Sequence, residues 1–251
     1  MDTLSLELLS ISSHFPLFFT MYFILYLNAY FIFFRGWARK LRTEASSCVM
    51  SLAHGYPAVF LACRAILSDP GLDFHSPNTS PQNIVLDYSI AYFSIDLLHL
   101  LIFEPSSVLF IGHHLISLFG FLTCRYVVYH GAFAILGLLI LAEVTSLCQN
   151  VWALASMRRS DVELAGKVFD LISPPFYALY SIIRGLFGPY FVYRMWAFYG
   201  TGVADDVMPQ WVWISWVSLA VVMIFFSIFR ISNLWIELYR ERMKKIERKL
   251  R

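Results

Sequence analysis

Seven stretches of this chain, at about 14–34, 46–67, 84–103, 108–128, 132–156, 168–198 and 211–236, are apolar over the length a helix needs to cross a bilayer. That length is roughly 20 residues at 1.5 Å each. A water-exposed surface cannot be built around so many of them. Of the 251 residues, 59% are hydrophobic and 14% charged, against roughly 45–50% and about 25% in a soluble globular domain. The predicted fold class is therefore all-α, a polytopic integral membrane protein with seven transmembrane helices. The sixth stretch contains Pro174-Pro175, Gly185 and Gly188-Pro189, and is expected to be kinked, tilted or broken. The chain opens Met1-Asp2 with Glu7 and no basic segment before its first apolar run, so that run reads as a retained helix and not a signal peptide.

The basic residues give the crossings a direction. Arg35, Arg39, Lys40 and Arg42 follow the first span, Arg158, Arg159 and Lys167 follow the fifth, and a basic tail runs from Arg240 to Arg251. Together these segments hold most of the 19 Lys and Arg residues. The connections at 68–83, 129–131 and 199–210 hold none, and carry Asp69, Asp73, Asp205 and Asp206. With seven crossings the basic segments share one side, which the positive-inside rule makes cytosolic. The N-terminus is then luminal and the C-terminus cytosolic. On the luminal side Asn78-Thr79-Ser80 forms a glycosylation sequon, disfavoured by the Pro81 that follows it. The tail ends Arg-Lys-Leu-Arg, a weak likeness to a basic retrieval signal of the endoplasmic reticulum.

Ionisable groups within a membrane each cost roughly 2.5–3.5 kcal/mol on insertion scales. Arg64, Arg125, Arg194 and Arg230 stand near span ends, where long side chains snorkel to the interface. Asp87 and Asp170 also lie near ends. His54, Asp96, His99, His113, His114, Glu143, Asn150 and Arg184 do not have that excuse. Counting along each span places His54, Asp96, His113, His114 and Asn150 roughly 8–12 Å below the cytosolic surface, with Glu143 and Arg184 deeper. Tyr92, Asp96 and His99 share one helix face, and so do Glu143 and Asn150. Four helices thus bring polar groups to one depth, which predicts a polar pocket open toward the cytosol. The alternative is helix-to-helix hydrogen bonding that only fixes the bundle.

Metal chemistry finds little support. The 7 histidines include a single adjacent pair and no HxxxH or HxxHH box of the kind membrane di-iron enzymes carry. The 4 cysteines, Cys48, Cys63, Cys124 and Cys148, form no paired CxxC. No metal, no other cofactor and no nucleic-acid partner is expected.

The runs Tyr92-Phe93-Ser94-Ile95-Asp96-Leu97-Leu98, Gly112-His113-His114-Leu115-Ile116-Ser117-Leu118 and Ala142-Glu143-Val144-Thr145-Ser146-Leu147-Cys148-Gln149-Asn150-Val151-Trp152 resemble the TLC (TRAM/LAG1/CLN8 homology) domain family. Ser51-Leu52-Ala53-His54 and Ile183-Arg184-Gly185-Leu186-Phe187-Gly188-Pro189-Tyr190 are similar to it as well. The resemblance covers residues 40–245. It divides the chain into an N-terminal segment with the first helix (1–39), the TLC domain (40–245) and a basic tail end (246–251). It implies six helices forming a barrel around a membrane pocket, one extra N-terminal helix, and residence in the endoplasmic reticulum or nearby membranes. The ceramide synthase branch acylates sphingoid bases with acyl-CoA, using the HH pair and an HD pair on the following helix. Here that HD position reads Ala142-Glu143. The chain is closer to the non-synthase branch, associated with membrane lipid composition and homeostasis.

The expected function is accordingly binding or handling of membrane lipid, with His54, His99, Asn150 and Arg184 as lipid-binding residues. The alternative is an acyl-CoA-dependent lipid N- or O-acyltransferase, in which His113 or His114 acts as base or nucleophile oriented by Asp96 or Glu143. A seven-helix receptor or transporter is a third class, but neither an Asp-Arg-Tyr nor an Asn-Pro-x-x-Tyr signature occurs.

Overall fold

In the computed structural model, which describes residues 13–68 and 70–250, the chain is a bundle of helices. The opening Met1-Asp2 and Glu7, Asp69, and the side chains of the Arg-Lys-Leu-Arg end lie outside the described residues. The elements are α1 (Phe15–Asn28), α2 (Arg39–Leu67), α3 (Ser80–Phe103), α4 (Val108–Leu122), α5 (Ala132–Glu143), α6 (Ser146–Arg158), α7 (Glu163–Ile182), α8 (Gly188–Tyr199) and α9 (Gln210–Leu250). One-turn π segments extend α1 (Ala29–Phe33) and α4 (Thr123–Val128), and a third, Ile183–Phe187, joins α7 to α8. Among the described residues the only β pairing is the isolated bridge between Pro77 and His130.

Among the described residues six helical rods are long and apolar enough to cross a membrane: Phe15–Phe33, Arg39–Leu67, Ser80–Phe103, Val108–Val128, Ala132–Arg158 and Gln210–Arg240. The predicted sixth span is absent from that set. Its residues lie in the α7–π–α8 rod, diluted by Asp170, Ser173, Pro174, Pro175, Arg184, Pro189 and Arg194. The break expected there takes the form of a π turn. Pro189 has no N–H to give the carbonyl one turn back, and the wider π turn immediately before it absorbs the misfit. At 1.5 Å per residue the whole rod is roughly 55 Å long.

Prolines elsewhere are accommodated by specific partners. Pro57 sits inside α2 and leaves the carbonyl of Ala53 without its helical donor. The Tyr88 hydroxyl on α3 donates to that carbonyl. At the start of α3, Thr79 and Gln82 form a reciprocal capping box. The sequon residue Asn78 is committed structurally: its Nδ2 donates to the Cys124 carbonyl (2.9 Å), and its Oδ1 accepts from the Ala132 N–H (2.9 Å).

In lipid, helices gain no hydrophobic driving force from meeting one another, so close contact and polar links decide the packing. The buried face of α2 is correspondingly small, with Ala58, Ala62 and Ala65 at a helical repeat. It packs on α3, α5 and α6. Further round, α5 meets α8, α6 meets α7, α7 and α8 meet α9, α9 meets α4, and α4 meets α3. α1 packs outside this set, against α3 and α2.

Connections collect at the two ends of the bundle. At one end the Tyr199 hydroxyl donates to the Phe74 carbonyl (2.7 Å) and the Gly131 N–H to the Ser76 carbonyl (3.0 Å). At the other, the guanidinium of Arg158 lies over Trp37 and that of Arg159 over Phe169. The connections at 68–83, 129–131 and 199–210, which hold no Lys or Arg, and the basic ones thus gather at opposite ends. Gly131, at φ +80°, is a keystone of the acidic end: a Cβ there would lie 2.9 Å from Met208 Cε, 3.0 Å from the Trp216 ring and 3.2 Å from the Phe74 carbonyl oxygen. Gly131→Ala is expected to destabilise by about 1–3 kcal/mol through overpacking and left-handed strain. Thermal unfolding in detergent measures it, and an unchanged midpoint would contradict this packing.

The structure also corrects two arginines. Arg125 does not snorkel. It is 3% exposed, and its Nε donates to Asp87 Oδ1 (3.1 Å), which also accepts from the Tyr126 hydroxyl (2.9 Å). Asp87 Oδ2 accepts the backbone N–H of His14 (2.7 Å), so a carboxylate from α3 satisfies an orphan donor at the start of α1. Arg230, also expected at an interface, is half-buried and borders two of the cavities described next.

Candidate functional site

Every residue singled out by depth except His54 borders one cavity of about 340 Å³, walled by α2, α3, α4, α5, α6, the π turn at Arg184 and α9. His54 is 0% exposed, stacked on Tyr92 with ring centroids 4.1 Å apart, and its Nε2 shares a hydrogen bond with Ser89 Oγ (3.1 Å). It lies behind the cavity wall and supports Tyr92.

Asp96 and His114 form the centre of the wall. They are 4% and 5% exposed, and His114 Nε2 lies 2.8 Å from Asp96 Oδ2. The other ring nitrogen, Nδ1, lies 2.8 Å from the Phe110 carbonyl one turn back on α4. A carbonyl only accepts, so Nδ1 carries a proton. The Nε2–Oδ2 contact therefore holds a second proton, on the ring or on the carboxyl. Either way the pair is neutral as a whole, which makes its burial tolerable. Asp96 Oδ1 accepts from Ser47 Oγ on α2 (2.7 Å), so this carboxyl ties three helices together.

His113 points elsewhere. It borders the same cavity, and its buried Nδ1 has no hydrogen-bond partner. His99 Nδ1 is 3.1 Å from the Tyr26 hydroxyl, which couples the cavity wall to α1. Asn150 uses its amide nitrogen for Ser51 Oγ (2.8 Å), the Ser146 carbonyl (2.9 Å) and Ser146 Oγ (3.0 Å), so α2 and α6 are pinned through it. Glu143 ends α5, where the backbone turns at Val144–Thr145 before α6, and its carboxyl lies against Gly55 of α2. Arg184 projects from the π turn and donates through Nη2 to the Ala142 carbonyl (2.7 Å). Two backbone irregularities thus stand at Glu143 and Arg184. Irregular turns of this kind concentrate at functional sites.

Gly55 permits the α2–α6 approach. A Cβ there would come within 2.6 Å of Ser146 Oγ and 2.8 Å of Glu143 Oε2. Gly55→Ala is expected to cost about 1–3 kcal/mol, while Gly112→Ala on α4, with nothing within 4 Å, is expected to stabilise by up to about 1 kcal/mol. Paired thermal unfolding of the two variants checks the contrast; equal shifts would argue against the close approach.

Two further cavities adjoin the first. One, of about 410 Å³, runs between α4, α6, α7 and α9 and is bordered by Gln149, Trp152, Tyr180, Arg230, Asn233 and Glu237. The other, of about 140 Å³, is an apolar chamber with Phe93, Ile116, Leu139, Val192, Trp216 and Ile224 among its walls. His113 and Arg184 border all three. Among the described residues no group of His, Cys, Asp and Glu side chains is placed to hold a metal ion.

Sequence reasoning missed Ser47, Glu44, Glu104 and Arg230 as cavity residues. Ser47 was within reach: with Ser51 and His54 it forms an i, i+4, i+7 polar face on α2. Arg230 was not, because only the crossing of α9 over α4 decides that its guanidinium lies above the Phe110 ring (5.8 Å).

The sequence matches the family model for the TLC domain over residues 44–236. A TLC domain-containing protein of Arabidopsis thaliana is 56% identical over 241 residues, a match that covers 94% of this chain and 95% of the relative. No solved structure matches. The stretches that carried the resemblance, from Tyr92 through the His113-His114 pair to Arg184, fall inside the matched region and border the shared cavity, and this multi-pass membrane chain belongs to the TLC domain family.

Proposed function

We propose that the protein binds or handles membrane lipid and contributes to lipid homeostasis of the endoplasmic reticulum, through an intramembrane pocket reached from the cytosol. The observation that carries this is the joining of a polar cavity to an apolar chamber at His113 and Arg184. Such a shape suits an amphiphile, with its head in the polar cavity where His113 and Arg184 border it and its chain in the apolar chamber.

In this reading the α7–π–α8 rod is a seventh crossing. Supporting it, Arg159 next to its start lies over Phe169 at the basic end, while Tyr199 at its finish bonds Phe74 at the acidic end. The six helical units after α1 then close into a barrel, in the order α3, α2, α5–α6, α7–α8, α9, α4. The N-terminus is luminal and the C-terminus cytosolic. Glycosylation acceptor sites inserted near Gly202 and near Ser160 test this: modification near Gly202 alone fits, and modification near Ser160 rules it out.

The functional test is mass spectrometry of lipids that co-purify with the full chain from endoplasmic reticulum membranes, compared with cellular lipid profiles of strains with and without it. Lipid retained by the protein, with altered profiles on deletion, supports the reading. A protein that emerges lipid-free from mild detergent and leaves profiles unchanged would defeat it.

A second reading, acyl transfer from acyl-CoA, is favoured by one feature: His113 stands where polar and apolar chambers meet, with Nδ1 unpartnered. His114 has both ring nitrogens committed, so His113 would serve as the base for an amine or hydroxyl acceptor. Labelled acyl-CoA with candidate acceptors decides it: product lost in His113→Ala supports transfer, and no product from the folded wild type excludes it for those acceptors.

A further inference from the structure

Charges inside a membrane protein need counter-charges, and two half-buried guanidiniums here lack a carboxylate. Arg125 shows what closure looks like, held by Asp87. Arg184 and Arg230 have no carboxylate within 4.0 Å among the described residues. Each has a buried Nε without an acceptor. Of the carboxyls that share these cavities, Asp96 is spent on His114 and Ser47, Glu143 abuts Gly55, and Glu44, Glu104 and Glu237 form no ion pair with either guanidinium among the described residues. The buried Nδ1 of His113 is a third unpartnered polar atom on the same walls.

We infer that Arg184 and Arg230, with His113 beside them, form a binding site for an oxyanion, the phosphate or carboxylate head of an anionic amphiphile. This rests on the lipid-handling reading and specifies its headgroup class. The planar guanidinium fork suits an oxyanion better than a neutral or cationic head, because two N–H groups meet two oxygens. Three elements supply the donors: the π turn gives Arg184, α9 gives Arg230 and α4 gives His113. The apolar chamber begins at the same Arg184 and His113, so an aliphatic chain attached to the head has a place to go. A choline head would bring a third cation to two that have no carboxylate partner.

The test uses the full chain in nanodiscs of phosphatidylcholine, titrated with long-chain phosphatidic acid, with oleate and with inorganic phosphate. Anionic lipid is expected to bind at least tenfold more tightly than phosphatidylcholine exchanges in. Arg184→Gln and Arg230→Gln are each expected to reduce that preference on the order of tenfold to a hundredfold, and Arg230→Lys less. Arg184 also holds the Ala142 carbonyl, so its variant could lose the fold; Arg230, with no such bond among the described residues, keeps the test sharp, and unfolding midpoints accompany both. A folded Arg230→Gln protein with undiminished anionic preference would overturn the site. Displacement of the lipid by millimolar inorganic phosphate would assign the oxyanion to a soluble source and overturn the headgroup version. If neutral lipid co-purifies but no anionic preference exists, the site fails while lipid handling stands. If no lipid binds at all, the broader reading fails with it.

Discussion

Asp87→Ala is expected to lower the unfolding free energy by about 3–5 kcal/mol, because it leaves the Arg125 guanidinium buried and unpaired. The carboxylate is 0% exposed and accepts from Arg125, the Tyr126 hydroxyl and the His14 N–H. Its loss therefore removes an ion pair, a phenol acceptor and the anchor of α1 at once. Cross-linking or protease sensitivity around residue 14 should report the loosened helix, alongside the fall in the thermal midpoint. The double change Asp87→Leu with Arg125→Met removes both charges and is expected to recover much of the ion-pair cost, since an apolar pair of similar volume needs no partner. It should not restore the α1 anchor, as leucine cannot accept the His14 N–H. A single Asp87→Ala variant as stable as wild type would mean that the network contributes nothing.

The second large effect separates scaffold from chemistry at Asp96. Asp96→Ala strands His114 Nε2 and Ser47 Oγ, and is expected to cost about 3–5 kcal/mol. Asp96→Asn is expected to cost about 1 kcal/mol or less. The amide nitrogen donates to a neutral His114 Nε2 while the amide oxygen accepts from Ser47, so every bond is remade. What Asn removes is the shared proton. If the pair only braces α2, α3 and α4, Asp96→Asn retains co-purifying lipid and cellular lipid profiles at wild-type levels. If the proton takes part in chemistry or headgroup binding, the Asn protein is folded and inactive. Bound-lipid mass spectrometry on both variants reads the split, and equal destabilisation by Ala and Asn would contradict the bonding pattern.

Much of the site could be read before any coordinates. Asp96, His114 and His113 were placed at one depth from span boundaries and charge bias alone, and they do border a common cavity. Position along a helix axis is a one-dimensional quantity, so counting residues gives it. Angle around the helix axis is not. His54 was counted to the same height, yet faces the α3 aromatics, stacked on Tyr92 rather than lining the cavity. Arg125 and Arg230 were both placed at interfaces because each lies near a span end, and the structure takes both inward, one to Asp87 and one to the cavity. Span ends permit snorkelling without requiring it. The less apolar rod at Glu163–Tyr199 shows a similar limit: Asp170, the prolines and Arg184 lower its hydropathy, and of these Arg184 borders the cavity, which run length alone does not reveal.

The sequence alone determined that this is a helical, multi-pass membrane protein whose basic connections are separated by connections that hold no Lys or Arg. Hydrophobic run length and Lys/Arg position are local properties that the bilayer itself reads. Only the tertiary structure decided which polar groups meet. A contact such as His114 with Asp96, or Asp87 with the start of α1, depends on the rotation and close approach of separate helices. Those are set by small residues such as Ala58 and Gly55 and by backbone turns such as Ile183–Phe187, whose effect appears only when the helices are packed.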